Sequence, residues 1–299
     1  MDISVIIVNY NTLNLTKTAI DSIFEFSPKN LKLEIFVVDN ASSDGSKEYF
    51  KNDNRITYIY SEDNLGFGKA NNIAIERSQA KYIFLLNSDA YLIEDVLTSF
   101  YDFMENPENK NVACCGANII DGKGDRAVIG GNLPTVIESI SRVGFAVFFL
   151  SYYKRHLASG IKHFPDKGDL YEIGCVTGAN MFLRRSVLKE TGAFDPDFFL
   201  YYEETEMSFR FKKHGYKSYI LANHTIVHLE GSSSKKPTIN EKVERFFSQG
   251  RYLYFEKSYG RNSARFITSL FVIQSVLFGL FKFKKDHFTR AKIIFNTLR

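Results

Sequence analysis

Cysteine is scarce: 3 residues in 299, at Cys114, Cys115 and Cys175, with no CxxC pair among them. That spacing excludes a disulfide frame and fits small buried residues in a reducing compartment. No basic n-region or cleavage site precedes the strand-like run that starts at Ile3, so no secretory signal is expected. Internal repeats and low-complexity tracts are missing too. Glycine is placed wrongly for the common phosphate loops. Asn64-Leu65-Gly66-Phe67-Gly68-Lys69-Ala70 holds a GxG, but Asn71 stands where a dinucleotide fingerprint needs glycine, and the run follows the third strand. It also lacks the Gly-Lys-Ser/Thr spacing of a P-loop. An NAD-linked dehydrogenase fails on these grounds.

What remains is an ordinary globular composition, 44% apolar and 24% charged, with length enough for a sizeable core. The net charge of +4 is unevenly spread. Residues 241–299 carry 12 Lys/Arg against 4 Asp/Glu, or +8, which leaves −4 over residues 1–240. The apolar content of that basic tail suits an anionic membrane surface better than nucleic acid, and no nucleic-acid partner is expected.

Hydrophobic periodicity gives a β-α series. Ile3–Val8 is a β-branched strand, and Leu15, Ala19, Ile20 and Ile23 then recur at helical spacing. Glu34–Val38, Ile56–Tyr60 and Tyr82–Leu86 read as further strands, separated by helices opened at Ser42–Ser46 and after Asn64. Such a series predicts an α/β fold with parallel strands and right-handed crossovers. Beyond it come a helix near Asp95–Glu105, a strand at Val112–Gly116 and a poorly patterned stretch, 121–170, expected to be an insertion. That stretch holds an aromatic patch, Phe145–Tyr153, and a basic spot, Lys154-Arg155-His156. Met181–Leu183, Lys217–Leu221 and Thr225–Leu229 read as short strands, Ser186–Thr191 and Glu203–His214 as helices, and most of the chain after Glu241 as helical.

The stretch Tyr82–Ala90 anchors the functional reading. Its apolar run stops at Asn87-Ser88-Asp89, and Asn9 and Asp39 end two other strands on the same expected edge. Open α/β sheets bind ligands along that edge. Asp89 can hold a hard divalent cation there, although a simple Asx-turn accounts for the same residues. Phe198–Arg210 places Glu203, Glu204 and Glu206 directly after an aromatic run. Acids at a helix start complement its dipole; an apolar wall also raises a carboxylate's pKa, which suits a general base. Arg210 is spaced to pair with Glu206, leaving the other two free. His228 precedes Glu230-Gly231-Ser232-Ser233-Ser234 and is either structural or a further metal ligand.

Together these stretches resemble glycosyltransferase family 2, the Rossmann-like GT-A nucleotide-sugar fold, and most closely its bacterial rhamnosyltransferase-like branch. The matching runs are Val5–Asn11, Val37–Ser46, Asn64–Phe67, Asn87–Asp89, Gly178-Ala179, Tyr202–Glu206 and His228-x-x-Gly231-x-Ser233, spread over residues 3–235. The resemblance implies a mostly parallel sheet flanked by helices with a C-terminal helical extension. It implies a transferase domain at 1–240, nucleotide-binding over 1–120 and acceptor-binding or catalytic over 121–240, followed by a basic amphipathic region at 241–299. Asn9 and Asn11 would line the base and ribose pocket, with Asp39 accepting from a pyrimidine N3–H. Asn64, Gly68 and Asn72 would shape the loop and helix beside the nucleotide, and Asn87, Ser88 and Gly178 fall in matching runs. Asp89 would be the last acid of the metal-binding DxD motif, with His228 its downstream partner on Mn²⁺ or Mg²⁺. Glu204 falls on the family's general base, with Glu203 beside it. The sequence departs from the pattern at Asn87, where the motif's first acid should be, and at Glu204, where Asp is commoner.

The expected activity is inverting transfer of a sugar, rhamnose by branch resemblance, from a UDP- or dTDP-sugar to a saccharide or lipid-linked acceptor in cell-surface polysaccharide synthesis. A catalytically silent nucleotide-sugar-binding subunit is the alternative, and homo-oligomer formation is left open. The expected location is cytoplasmic and peripheral, on the inner face of the membrane. Phe266–Phe281 is a 16-residue apolar run before Lys282-Phe283-Lys284-Lys285, shorter than the ~20 residues of a spanning helix. At about 100° per residue, Thr268, Ser275, Gly279 and Lys282 make a narrow polar stripe. The expectation is a helix docked on an anionic leaflet, against the alternative of a helix packed in the protein's own core.

Overall fold

The computed structural model describes residues 1–151, 170–229, 239–282 and 285–298. Strands and helices alternate first: β1 (Ile3–Asn9), α1 (Leu13–Phe26), β2 (Leu33–Asn40), α2 (Ser46–Phe50), β3 (Thr57–Ser61), α3 (Phe67–Arg77) and β4 (Tyr82–Leu86). β1 and β4 are buried over nearly their whole length, as expected of strands covered on both faces. Next come β5 (Ala90–Leu92), α4 (Val96–Glu105), β6 (Val112–Ile120), β7 (Gly130–Gly131) and α5 (Val136–Ile140). They are followed by β8 (Leu170–Ile173), β9 (Cys175–Val176), β10 (Asn180–Arg184), α6 (Arg185–Thr191), α7 (Glu203–Lys213) and β11 (Lys217–His228). Three helices close the chain: α8 (Glu241–Tyr259), α9 (Arg261–Lys282) and α10 (Lys285–Asn296).

The main sheet runs β3-β2-β1-β4-β10-β6-β11-β5, with β8 added on β11. Its first four strands are parallel, whereas β10 lies antiparallel to both neighbours, so the sheet is mixed. The two strands expected at 217–221 and 225–229 form one continuous β11, with a register shift between Leu221 and Thr225. Asn118 donates its amide to the Ala222 carbonyl at that irregularity. A short bulge reads in sequence as a break; here the partner strand bridges it.

Apolar side chains fill both sheet faces, one around Ile6, Leu85 and Met181, the other around Val5, Phe84 and Phe100. A third cluster joins Phe198 to Tyr254, Phe255, Ala264 and Ile267, so the C-terminal helices share a core with the segment before α7. The Tyr254 and Tyr259 hydroxyls both donate to the Pro134 carbonyl. In the expected insertion, β7 pairs with β9 and α5 packs on α9. The basic spot at 154–156, the end of the aromatic patch, the Gly/Ser loop at 230–234 and the cluster at 283–284 lie outside the described residues.

Helix α9 is patterned inside out. Thr268 is 1% exposed and Ser275 is buried, while Ile273, Leu277, Leu280 and Phe281 face outward. Gly279 touches the Phe288 ring of α10. Thr268, Ser275 and Gly279 of the polar stripe read from the sequence therefore face inward. The helix also runs over 22 residues, not 16, and its Arg261–Phe281 portion is long and apolar enough to cross a membrane by length and composition.

Candidate active site

Parallel pairing brings the polar strand ends together, with Asn9 in register with Asp39 on neighbouring strands. Both are fully buried. Asn9 donates to Ser42 Oγ (2.9 Å) and accepts from Thr12 and Thr16 hydroxyls (2.8 Å each), which pins the start of α1. Asp39 accepts from the Ser42 N–H at 2.9 Å and the Tyr58 hydroxyl at 2.6 Å. Burial, and then the bond to Asp39, push the Tyr58 hydroxyl well above its usual pKa, so it stays a donor. Asn11, at φ 56°, accepts from the Ser43 N–H at 2.7 Å. Asn40 grips the next loop: its Oδ1 accepts from the Leu65 N–H (2.8 Å) and its amide donates to Asn64 Oδ1 (3.0 Å). These turns rim a cleft of about 310 Å³ that Tyr10, Asn40, Asn64, Asn87, Ser88, Asp89 and Phe199 line.

Short β5 explains how Asp89 meets a residue 139 positions later. It pairs antiparallel with the end of β11, Ala90 opposite His228, which sets Asp89 Oδ1 3.0 Å from His228 Nε2. The Asn87 amide nitrogen stands 3.4 Å from the same imidazole nitrogen. A carboxylate oxygen and an imidazole nitrogen suit a divalent cation. Adjacent ligands of an octahedral ion, each about 2.1 Å away, stand ~3.0 Å apart, so the pair fits. No group of three or more His, Cys, Asp or Glu able to hold an ion occurs among the described residues. A cation here would take its remaining ligands from a bound molecule or water.

The segment leading into α7 carries the second pair of acids. Tyr201 and Tyr202 both sit at φ 70°, a conformation costly for bulky residues, and the two Glu residues follow at once. Glu203 is 3% exposed, and its Oε2 has no hydrogen-bond partner among the described residues. Burial pushes the carboxyls of both Glu203 and Glu204 up in pKa, and the neighbouring Glu204 charge raises Glu203 further. Glu204 lines a second, larger cavity of about 540 Å³ together with Tyr201, Tyr202, Thr205, Arg142 and Arg251. Leu200 lines the first cavity and Tyr201 the second, so one short segment borders both. Glu206 instead pairs with Arg210 at 2.9 Å, as the spacing predicts.

The sequence profile described as glycosyl transferase family 2 matches residues 4–192. The chain belongs to that family. A low-salt glycan biosynthesis hexosyltransferase from Haloferax volcanii is 26% identical over 71% of this chain and 62% of its own length. The chain spans less than half the length of the first three curated relatives it matches, 41%, 20% and 44%. Among solved structures, a mannosyltransferase from Pyrobaculum calidifontis in complex with GDP-Man and Mn²⁺ aligns with TM-score 0.56 at 15% identity, over 99% of this chain and 84% of that one. GalNAc-T7 with UDP, GalNAc and Mn²⁺ aligns with TM-score 0.59 at 17% identity, over 96% and 54%. These likenesses establish the GT-A fold.

Within this member of the family, some residues named from the resemblance stand away from the cleft. Asn72 donates to the Phe194 carbonyl (2.7 Å) and accepts from the Phe194 N–H (3.1 Å), clamping α3 to a distant loop. Gly68 packs on Phe194 too closely for a side chain, and Gly178 packs on Phe67, whose ring would have to give way to one. The sequence reading missed Asn40, although it follows Asp39 in the most specific run. It also missed Lys242 and Phe246, which reach the cleft from α8, Phe246 stacking on Phe199 at 4.6 Å. Nothing local marks those two, because the helix that carries them docks only in the tertiary fold.

Proposed function

We propose that this protein is an inverting glycosyltransferase that uses a UDP- or dTDP-sugar, rhamnose being the sugar the sequence resemblance favours. The observation that carries the reading is Glu204, a carboxyl with raised pKa on the larger cavity, one short segment away from the cleft of Asp89 and His228. The donor's pyrimidine N3–H meets Asp39 in this reading; the carboxylate is 0% exposed and already accepts from Ser42 and Tyr58, so the turn at Ser42 has to shift to admit the base. Asp89 and His228 would hold Mn²⁺ or Mg²⁺, whose Lewis acidity would neutralise charge on the departing diphosphate. Glu204 takes the proton from an acceptor hydroxyl in the larger cavity. The freed oxygen bonds the anomeric carbon as the bond to the diphosphate breaks, and the single displacement inverts that carbon. A raised pKa makes the carboxylate a stronger base. Solved relatives of the fold that hold a nucleotide or nucleotide sugar with Mn²⁺ support the donor class.

The acceptor in this reading is a saccharide or lipid-linked saccharide, and α9 rests on an anionic leaflet of the membrane. Its outward Ile273, Leu277, Leu280 and Phe281 would enter the interface while Thr268 and Ser275 stay against the protein. Nucleotide-sugar turnover by the purified protein, with and without Mn²⁺, tests the activity. A chain that binds UDP with Mn²⁺ yet neither hydrolyses nor transfers the sugar would be a silent binding subunit. Co-sedimentation with anionic and neutral vesicles tests the docking, and equal indifference to both would end it.

A further inference from the structure

The larger cavity contains a group that neutral sugar hydroxyls do not require. Arg251 of α8 is 4% exposed, yet its Nε and Nη2 have no hydrogen-bond partner among the described residues. Its guanidinium lies 3.9 Å from the Phe271 ring centre, a cation–π contact that orients the group without satisfying its N–H donors. Buried charges persist where something pairs with them. Arg142 and Arg290 line the same cavity, and all three arginines also line an adjoining one of about 360 Å³. Arg142 is paired with Glu138 (2.7 Å) and Arg290 with Glu244 (2.8 Å). Of the three, Arg251 alone lacks a carboxylate within ion-pair distance among the described residues, although Glu204 lines the same cavity. Its unpaired Nε and Nη2 form one edge of a planar fork, the edge that matches two oxygens of a phosphate.

We propose that Arg251, flanked by Arg142 and Arg290, binds a phosphate group carried by the acceptor, in the cavity where Glu204 meets the acceptor hydroxyl. The proposal rests on the transferase reading and adds the acceptor's chemical class. A soluble phosphoester and a lipid headgroup share this chemistry, and the test separates the two.

The test compares the full chain with Arg251→Met and Arg251→Lys. Inorganic phosphate and glycerol phosphate at millimolar concentration should raise the wild-type Tm, with UDP and Mg²⁺ present or absent. Arg251→Met should abolish that rise. Arg251→Lys keeps the charge but loses the fork, and should bind phosphate at least tenfold more weakly. Without phosphate, Arg251→Met should melt no lower than wild type, because an unpaired buried charge has gone; a purely structural arginine would lower Tm. Vesicles containing phosphatidate, retained by wild type and not by Arg251→Met, would assign the phosphate to a lipid. A response to glycerol phosphate alone would assign it to a soluble acceptor. The proposal is overturned by a wild type indifferent to phosphate, by equal responses in wild type and both variants, or by a larger response to glucuronate than to phosphate. UDP binding with Mn²⁺, measured in the same samples, reports separately on the donor site. Its loss in wild type would sink the transferase reading, while its retention beside a failed phosphate response would sink only the arginine site.

Discussion

Asp39 and Glu203 are equally hidden from water and differently furnished. Asp39 is 0% exposed and accepts from a backbone N–H and a tyrosine hydroxyl. Glu203 is 3% exposed with a partnerless oxygen among the described residues, and another acid follows it. Burial alone therefore does not decide what a carboxyl is for. An acid whose oxygens are met by donors has its hydrogen bonds fixed by the fold; one left unmet is pushed up in pKa by burial.

The largest expected effect would break that contrast at its reactive end. Glu204→Gln should retain donor binding while turnover falls by roughly 10²–10⁴-fold. In wild type, the acidic limb of the kcat/KM profile should lie above the ordinary carboxylate range, because the base must be deprotonated and its pKa is raised. Near-normal turnover in the variant would move the role to another group. At the fixed end, Asp39→Ala orphans the Tyr58 hydroxyl and the Ser42 N–H and should cost about 2–4 kcal/mol in urea unfolding. Wild type should also prefer UDP to CDP, since cytosine offers an acceptor where Asp39 needs a donor. Equal affinities would count heavily against that contact.

Asp89 stands between these cases, with His228 as a partner that a cation could share. Asp89→Ala should weaken Mn²⁺-supported UDP binding by about tenfold or more in calorimetry, and full retention would refute the ligand assignment. The smallest effect concerns Glu203. Its folded pKa exceeds the unfolded value, so the native state keeps a proton that the unfolded chain has released. Stability should then fall as pH rises from about 4.3, the unfolded value, through the raised folded pKa. Glu203→Gln should flatten that decline and melt a few degrees higher than wild type at pH 8 in scanning calorimetry.

The parallel half of the sheet was legible because each strand is a run of β-branched and aromatic residues that ends in a polar turn. Ile3–Asn9 and Tyr82–Leu86 announce themselves in this way. The pairing of Asp89 with His228 was not legible as a contact: β5 has only 3 residues, too few to show alternation. Asn72 shows the converse. Resemblance had it shaping the loop and helix beside the nucleotide, but not that its amide would reach a loop 122 residues on. Helix α9 gave its period but not its sense, since 100° spacing cannot say which stripe faces the body. Arg251 looked like any basic residue among aromatics, and only the fold hides it from water.

The segment that borders both cavities is gripped through its backbone. Gly66, at φ 80°, lets the Phe199 carbonyl lie where a side chain would be, and the next amide, Phe67 N–H, donates to that carbonyl at 3.0 Å. Gly250 admits the Tyr201 carbonyl in the same way from α8. The segment is thus located by atoms that every amino acid possesses, while Leu200 and Tyr201 line different cavities. Such a mounting divides tolerance unevenly. Chance substitution at Leu200 or Tyr201 can reshape what each chamber admits without uprooting the acids that follow, whereas any change at Gly66 or Gly250 dislodges the whole stretch. New substrate preferences can accumulate on this segment while the chemistry beside it is inherited unaltered.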